Sequence, residues 1–192
     1  MKKHLYLTIA AILLAFNIQA QENGQLVYQK GDNILNAGFG IGYYNYGYFG
    51  SRSSSFPALT ANYEIGFHKY FGVGPYVGYK SWNYKYADGS YGFSLLSVGG
   101  RGSFHYSSLL NEALDMDIDD KKLDLYVVLI AGLEFQNYTG DYGAYFDNDT
   151  NVVFRLGPSL GARYYFNNNI GVFAEGGRGA FSWLTIGVSF KM

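Results

Sequence analysis

Ser182-Trp-Leu-Thr-Ile-Gly-Val-Ser-Phe-Lys-Met192 is the stretch whose pattern decides the fold. Leu184, Ile186, Val188, Phe190 and Met192 share one parity, while Thr185, Gly187, Ser189 and Lys191 share the other. Successive side chains of a strand point to opposite faces, so this is a strand with one apolar and one polar face. It runs to the end of the sequence, as suits an element whose partner lies far back in the chain. A barrel needs such a closing strand, because closure removes the unpaired edges of a sheet.

The same alternation recurs upstream over about Ile34–Tyr43, Ala58–Phe67, Val73–Lys80, Phe93–Tyr106, Leu123–Gln136, Val152–Phe166 and Ile170–Glu175, which makes eight strands with the last. The fifth is the clearest: Leu123, Leu125, Val127, Leu129, Ala131, Leu133 and Phe135 oppose Asp124, Tyr126, Val128, Ile130, Gly132, Glu134 and Gln136. Pro75 counts against the third, since proline removes a donor from the ladder. The pattern predicts an all-β, eight-stranded antiparallel up-and-down transmembrane β-barrel over residues 34–192. Links at 44–57, 83–92, 137–151 and 178–181 then face outward, and those near 68–72, 107–122 and 167–169 face the periplasm. Long outer loops and short inner turns are the outer-membrane pattern. The exception is Ser107–Lys121, where Leu109, Leu110, Ala113, Met116 and Ile118 predict a short amphipathic helix at the periplasmic rim.

At the other end of the sequence, Lys2, Lys3 and His4 precede an apolar run from Leu5 to Phe16, and Ala20 offers a small residue for cleavage. Residues 1–20 read as a signal peptide, the run falling short of the roughly 20 apolar residues a membrane helix needs. Residues 21–33 read as a polar periplasmic lead. Without Lys2 and Lys3 the chain keeps 12 basic residues against 15 acidic ones, a net charge of −3 that gives no footprint for nucleic acid. Cysteine is absent, which excludes a lipid-modified N-terminal Cys, a disulfide and a Cys-based metal site.

Alternation alone leaves open which parity faces inward, because a soluble lipocalin-type barrel has an apolar calyx and a polar outside. Charged residues are only 15% of the chain, against about 25% in soluble domains. The polar parity is mostly Gly, Ser, Asn and Tyr, whereas a water-facing surface carries abundant Lys and Glu. Aromatics gather near strand ends, as at Tyr43, Phe67, Tyr79, Phe104, Phe135, Tyr164 and Phe190, where interfacial girdles belong. The apolar parity therefore faces lipid.

With this pattern and an aromatic close to the C-terminus, the chain resembles the small outer-membrane β-barrel proteins of Gram-negative bacteria, the OmpA transmembrane domain and OmpX class. The resemblance implies a monomer embedded among outer-membrane lipid and lipopolysaccharide. It also implies delivery by periplasmic chaperones and the barrel-assembly machinery, with Phe190 and Met192 in the place of the C-terminal assembly signal. It carries over no catalytic residue and no cofactor.

The inward parity collects four acids, Glu64, Asp124, Glu134 and Glu175, and four bases, Lys80, Arg101, Arg155 and Arg163. Buried charges need partners, and an eight-stranded barrel has an interior just wide enough for side chains to fill it. Inward glycines make room for Tyr76, Tyr126, Trp183 and the long Arg side chains. These charges read as a polar plug, with a narrow ion path as the alternative. Outside, Tyr44, Tyr46, Tyr48, Phe49, Tyr142 and Tyr145 lie in loops whose Tyr, Ser, Gly and Asn make adaptable binding surfaces; a girdle uses the same Tyr.

Other signals are weaker. Gly38-Phe-Gly40-Ile-Gly42 has phosphate-loop spacing without a following helix. His105-Tyr106-Ser107, with Glu112 beyond, resembles the His-x-Ser of the outer-membrane lipid A deacylases, but it falls at the periplasmic end and Ser108 replaces the Asn of that pattern. His68 has no second ligand at metal spacing, and Asp147-Asn-Asp149 lacks the Gly and distal Glu of a calcium loop. The expectation is a structural or surface-interaction barrel without catalytic, cofactor or metal site. A narrow porin-like channel and an enzyme acting on lipid A are the alternatives.

Overall fold

The computed structural model describes residues 26–43, 52–86, 89–140, 150–179 and 181–192. The strands are β1 (Asn33–Tyr43), β2 (Arg52–Gly66), β3 (Phe71–Tyr86), β4 (Gly89–His105), β5 (Leu123–Gly140), β6 (Thr150–Tyr165), β7 (Ile170–Gly177) and β8 (Ser182–Lys191), with a helix α1 (Ser107–Leu114) between β4 and β5. Each strand pairs antiparallel with the next, and β8 returns to β1 in a register running from Ile34–Lys191 to Tyr43–Ser182. The sheet is a closed up-and-down barrel of eight strands.

The apolar parity faces out. Phe39, Leu59, Val77, Leu96, Leu129, Phe154, Leu160, Val188 and their neighbours are exposed, while Asn36, Glu64, Arg101, Asp124, Arg163 and Ser189 from the opposite parity are buried. So large an apolar surface is out of place in water and matches the lipid-facing band of an outer-membrane barrel. At the end where β1 begins and β8 ends, aromatic side chains meet at strand ends: Phe71–Phe104 (5.1 Å), Phe67–Phe71 (6.3 Å) and Tyr164–Phe166 (5.7 Å). No helix among the described residues is long and apolar enough to cross a membrane; strands make the crossing.

At the far end the strands run further than hydrophobic alternation shows. Arg52–Phe56 pair with Ser81–Lys85, and β3 continues in register with β4 up to Tyr86–Gly89. The link expected at 83–92 shrinks to 87–88, that at 44–57 to 44–51, and that at 137–151 to 141–149. Here the inner face itself turns apolar at Trp82 and Phe93, so the apolar-out, polar-in alternation is lost although pairing continues. Pro75 sits inside β3 after all. The β2–β3 pairing lapses opposite it, between Asn62–Tyr76 and Ile65–Val73, while Pro75 keeps its place opposite Gly100 in the β3–β4 register.

Trp183 is a correction: alternation places it inward, yet it is 58% exposed. The pattern slips where β8 begins. Ser182 turns inward instead, its Oγ 3.0 Å from Thr185 Oγ1, in space that Gly40 on β1 leaves open; a Cβ there would meet the Ser182 side chain.

The rim helix is α1. Ser107 Oγ accepts the Leu125 N–H (2.6 Å), and Asn111 brackets the following turn through two bonds to the Ile118 backbone (2.8 and 3.0 Å). Asp115, with φ 48°, ends the helix in a left-handed cap.

A barrel whose last strand pairs with its first resists mild detergent. The folded protein is expected to migrate faster on a gel than the boiled one and to give a β-rich circular dichroism spectrum in micelles. Mobility unchanged by boiling would count against the closed barrel.

Candidate functional site

Six ionisable residues from five strands converge in the half of the lumen nearest the termini: Glu64 (β2), Arg101 and His105 (β4), Asp124 (β5), Arg163 (β6) and Glu175 (β7). Strand parity aims each inward, and the narrow interior lets side chains from non-adjacent strands meet. Arg163 donates to Asp124 (Nη1–Oδ2, 2.9 Å), and Arg101 Nη2 lies 2.7 Å from Glu175 Oε1. Glu64, fully buried, stands at the centre. Its oxygens lie 2.9 Å from His105 Nε2 and 3.6 Å from Arg101 Nε and Arg163 Nη2. His105 Nδ1 is 2.8 Å from Asp124 Oδ1, so each imidazole nitrogen faces a carboxylate. With His105 as an imidazolium, three carboxylates meet three cations.

Tyr126 completes the layer. Its hydroxyl donates to Glu175 Oε1 (3.0 Å), and the Arg163 and Arg101 guanidiniums lie 4.8 and 5.6 Å from its ring centre. The ring lies over Gly161, its register partner on β6; a Cβ there would come within 2.2 Å of the ring. Glycine at this position is what lets a full-width aromatic cross the lumen.

Residues 26–32 form a strap beneath this core. Val27 and Tyr28 are buried, and the Tyr28 ring stacks on His105, with centroids 3.4 Å apart and planes 8° from parallel. Val27 N–H donates to Asp120 O (2.8 Å), while Lys191 Nζ donates to Val27 O (2.7 Å) and Asp32 Oδ2 (3.1 Å). Gly31, with φ 98°, gives the turn that brings Gly66 N–H onto Asp32 O (2.8 Å). Burial, then the Glu64 carboxylate, pushes the Tyr28 hydroxyl above its ordinary pKa, so it stays neutral.

The remaining inward charges sit further along the lumen. Glu134 accepts Arg155 Nε and Nη2 (both 3.0 Å) and Gln136 Nε2 (2.6 Å). Lys80 is fully buried, with Nζ 4.8 Å from the Trp82 ring centre. Above them Ala58, Trp82, Phe93, Leu95 and Phe181 pack as an apolar layer. Five of the eight inward charges, Glu64, Arg101, Asp124, Arg163 and Glu175, thus meet in one cluster, and Glu134 pairs with Arg155 further along.

His105, Tyr28 and Ser103 are the residues that sequence reasoning left out of the core. His105 shares the parity of Arg101, which was the available signal; Tyr28 lies in an aperiodic segment and gave none. Ser103 Oγ, His105 Nε2 and Asp124 line up as in a nucleophile relay, at 3.0 and 2.8 Å. Glu64 competes for Nε2, however, and the cavity beside His105 is only about 10 Å³, room for one water. Ser107 is engaged with Leu125, and Glu112 with Lys69 (3.4 Å) and Tyr70 (3.0 Å), so the His-x-Ser tripeptide forms no site of its own. His68 is exposed and accepts the Tyr70 N–H (3.3 Å). Gly38 and Gly40 lie in β1, hydrogen-bonded on both sides, rather than in a phosphate loop. Among the described residues no group of three or more His, Asp or Glu is placed to hold a metal. Tyr44, Tyr46, Tyr48, Phe49, Tyr142, Tyr145 and Asp147–Asp149 lie outside the described residues. Phe190 points outward beside Leu35 and Ile170, and Met192 N–H donates to Asn33 O (2.8 Å).

No protein-family model and no curated protein matches the chain. Similar solved structures are the N-terminal β-barrel domain of OprF from Pseudomonas aeruginosa (17% identity, 85% of this chain and 98% of that one, TM-score 0.46) and Ail, the attachment invasion locus protein of Yersinia pestis (13%, 85% and 96%, 0.48). OprG from Pseudomonas aeruginosa is another (14%, 88% and 99%, 0.48). What this chain is similar to is thus the small outer-membrane β-barrel class that its alternation resembles.

Proposed function

We propose that this chain is an integral, monomeric outer-membrane barrel with a filled polar lumen blocked along its axis, which serves as a structural and surface-interaction element through the links at the end opposite its termini. The observation that carries the reading is the ionic core. Glu64, Arg101, His105, Asp124, Arg163 and Glu175 are nearly or fully withdrawn from solvent, and Tyr28 closes the layer from below. An ion crossing this layer has to separate buried pairs, and stranding one charge of a buried pair costs about 3–5 kcal/mol. The barrier suits a plug better than a path. In this reading the protein is not an enzyme and needs no cofactor. Its belt meets lipid and lipopolysaccharide, its strands are delivered by periplasmic chaperones and the barrel-assembly machinery, and Phe190 and Met192 serve as the assembly signal. The termini, the strap and α1 then lie on the periplasmic side, after removal of residues 1–20.

Protein reconstituted in planar bilayers is expected to show no steady conductance; stable open channels of the unaltered protein would overturn the plug. Arg101→Ala should lower the temperature at which the fast-migrating form is lost, because Glu175 and Glu64 are both left short of a cation. Adding Glu175→Gln should recover more of the loss than adding Glu64→Gln, since Arg101 lies 2.7 Å from the first and 3.6 Å from the second. Costs that simply add in both double mutants would mean that these charges act separately. For orientation, protease on intact cells should cut within 141–149 and spare α1; cutting only near α1 would invert the assignment.

A further inference from the structure

Among the described residues, the wall of the barrel is incomplete beside β6. β6 pairs with β5 from Tyr164 to Thr150, but β7 stops at Gly177, and its last bond to β6 is from Arg178 N–H to Pro158 O (2.7 Å). Among the described residues, the edge of β6 over Thr150–Leu156 therefore has no strand beside it, while across the gap β8 continues along β1 to Ser182. Phe181, just before β8, is buried against Trp82 and Leu95. What remains is a cleft of about 620 Å³, within the range of about 300–1,000 Å³ for small-molecule sites.

This cleft crosses the wall. Its lining includes Trp82 and Leu95, which are 5% and 0% exposed inside the lumen, together with Leu156 and Trp183, which are 54% and 58% exposed on the outside. Phe154, Leu160 and Leu184 flank it with more outward apolar surface, so it opens sideways onto the lipid-facing belt. The lining is of two kinds. Ile130, Phe181 and the residues just named are apolar, whereas the Glu134–Arg155 pair and the strandless edge of β6 present charges and backbone groups. Backbone N–H and C=O groups are poorly placed against bare hydrocarbon. One molecule with an apolar chain and a polar head meets both demands.

We propose that the β6–β8 cleft binds an acyl chain of a surrounding membrane lipid, which enters sideways with its polar end toward Arg155 and the β6 edge. The inference requires the barrel to be embedded in a membrane; it does not require the lumen to be sealed.

The chain has two tryptophans, and both line the cleft, one from inside and one from outside. The test places full-length single-Trp variants in nanodiscs of phosphatidylcholine brominated on its acyl chains, bromine being a contact quencher of Trp fluorescence. Trp82→Phe leaves Trp183, which should be quenched simply because it faces lipid. Trp183→Phe leaves Trp82, which should be quenched only if a chain enters the cleft. Adding Gly179→Leu narrows the cleft at a position where a Cβ meets only ordinary contacts, 3.4 Å from Ser182 O and 3.6 Å from Thr185 Oγ1. It should abolish most of the Trp82 quenching and leave the gel mobility of the folded form unchanged. Quenching of Trp183 without quenching of Trp82 would overturn the cleft proposal alone. Failure of both would overturn the membrane reading beneath it. Trp82 quenching by brominated free fatty acid in unbrominated nanodiscs, with none from brominated phospholipid, would overturn the assignment to a bilayer lipid.

Discussion

Every backbone N–H and C=O in a lipid-facing strand has to find its partner in another strand, since hydrocarbon offers none. The β1–β8 register meets that demand at the seam, though not along the outer stretch of β6 beyond the end of β7, and the rest of the molecule follows from it. Closure at eight strands sets a lumen too narrow to hold a column of bulk water and too wide to be filled by backbone. Something has to occupy it. The inward face answers with long side chains laid over glycines, as Tyr126 lies over Gly161, and with charges arranged so that each lies near its opposite. The outward face needs none of this chemistry, and accordingly it is built from Leu, Val, Ile and Phe.

The ionic core is a costly way to fill space, because each of its members loses its hydration on folding. Its arrangement limits that loss by sharing. Asp124 serves both His105 and Arg163, Arg101 serves both Glu64 and Glu175, and Glu64 draws on three cations without an aligned hydrogen bond from any of them. A shared arrangement ties five strands together across the axis, which the ladder, acting only between neighbours, does not do.

How much of this was legible in the sequence follows the same division between lipid and water. Where lipid enforces it, as from Leu123 to Phe135, alternation placed the strand and the parity of Asp124 and Glu134. At the far strand tips, Arg52–Phe56 and Ser81–Tyr86, the apolar-out alternation is lost, and the strands read too short. Parity also told that Glu64, Arg101 and Arg163 face inward, but not which charges meet, because that depends on register and tilt around the barrel. His105 was weighed with its sequence neighbour Ser107, when its partners are Asp124 on the next strand and Glu64 across the lumen. Trp183 was misplaced because a local slip at the start of β8 leaves no mark in a pattern read by counting. The gap beside β7 was out of reach too: it arises from two strand lengths compared in space.

The strap of residues 26–32 touches α1's trailing turn at Asp120, the end of β2 at Gly66, His105 on β4 and Lys191 on β8. Those four anchors are far apart in the chain, and only Lys191 lies on the closing strand. The strap therefore works as a clasp across the mouth of the barrel, binding β8 to parts of the cylinder that its own ladder never touches.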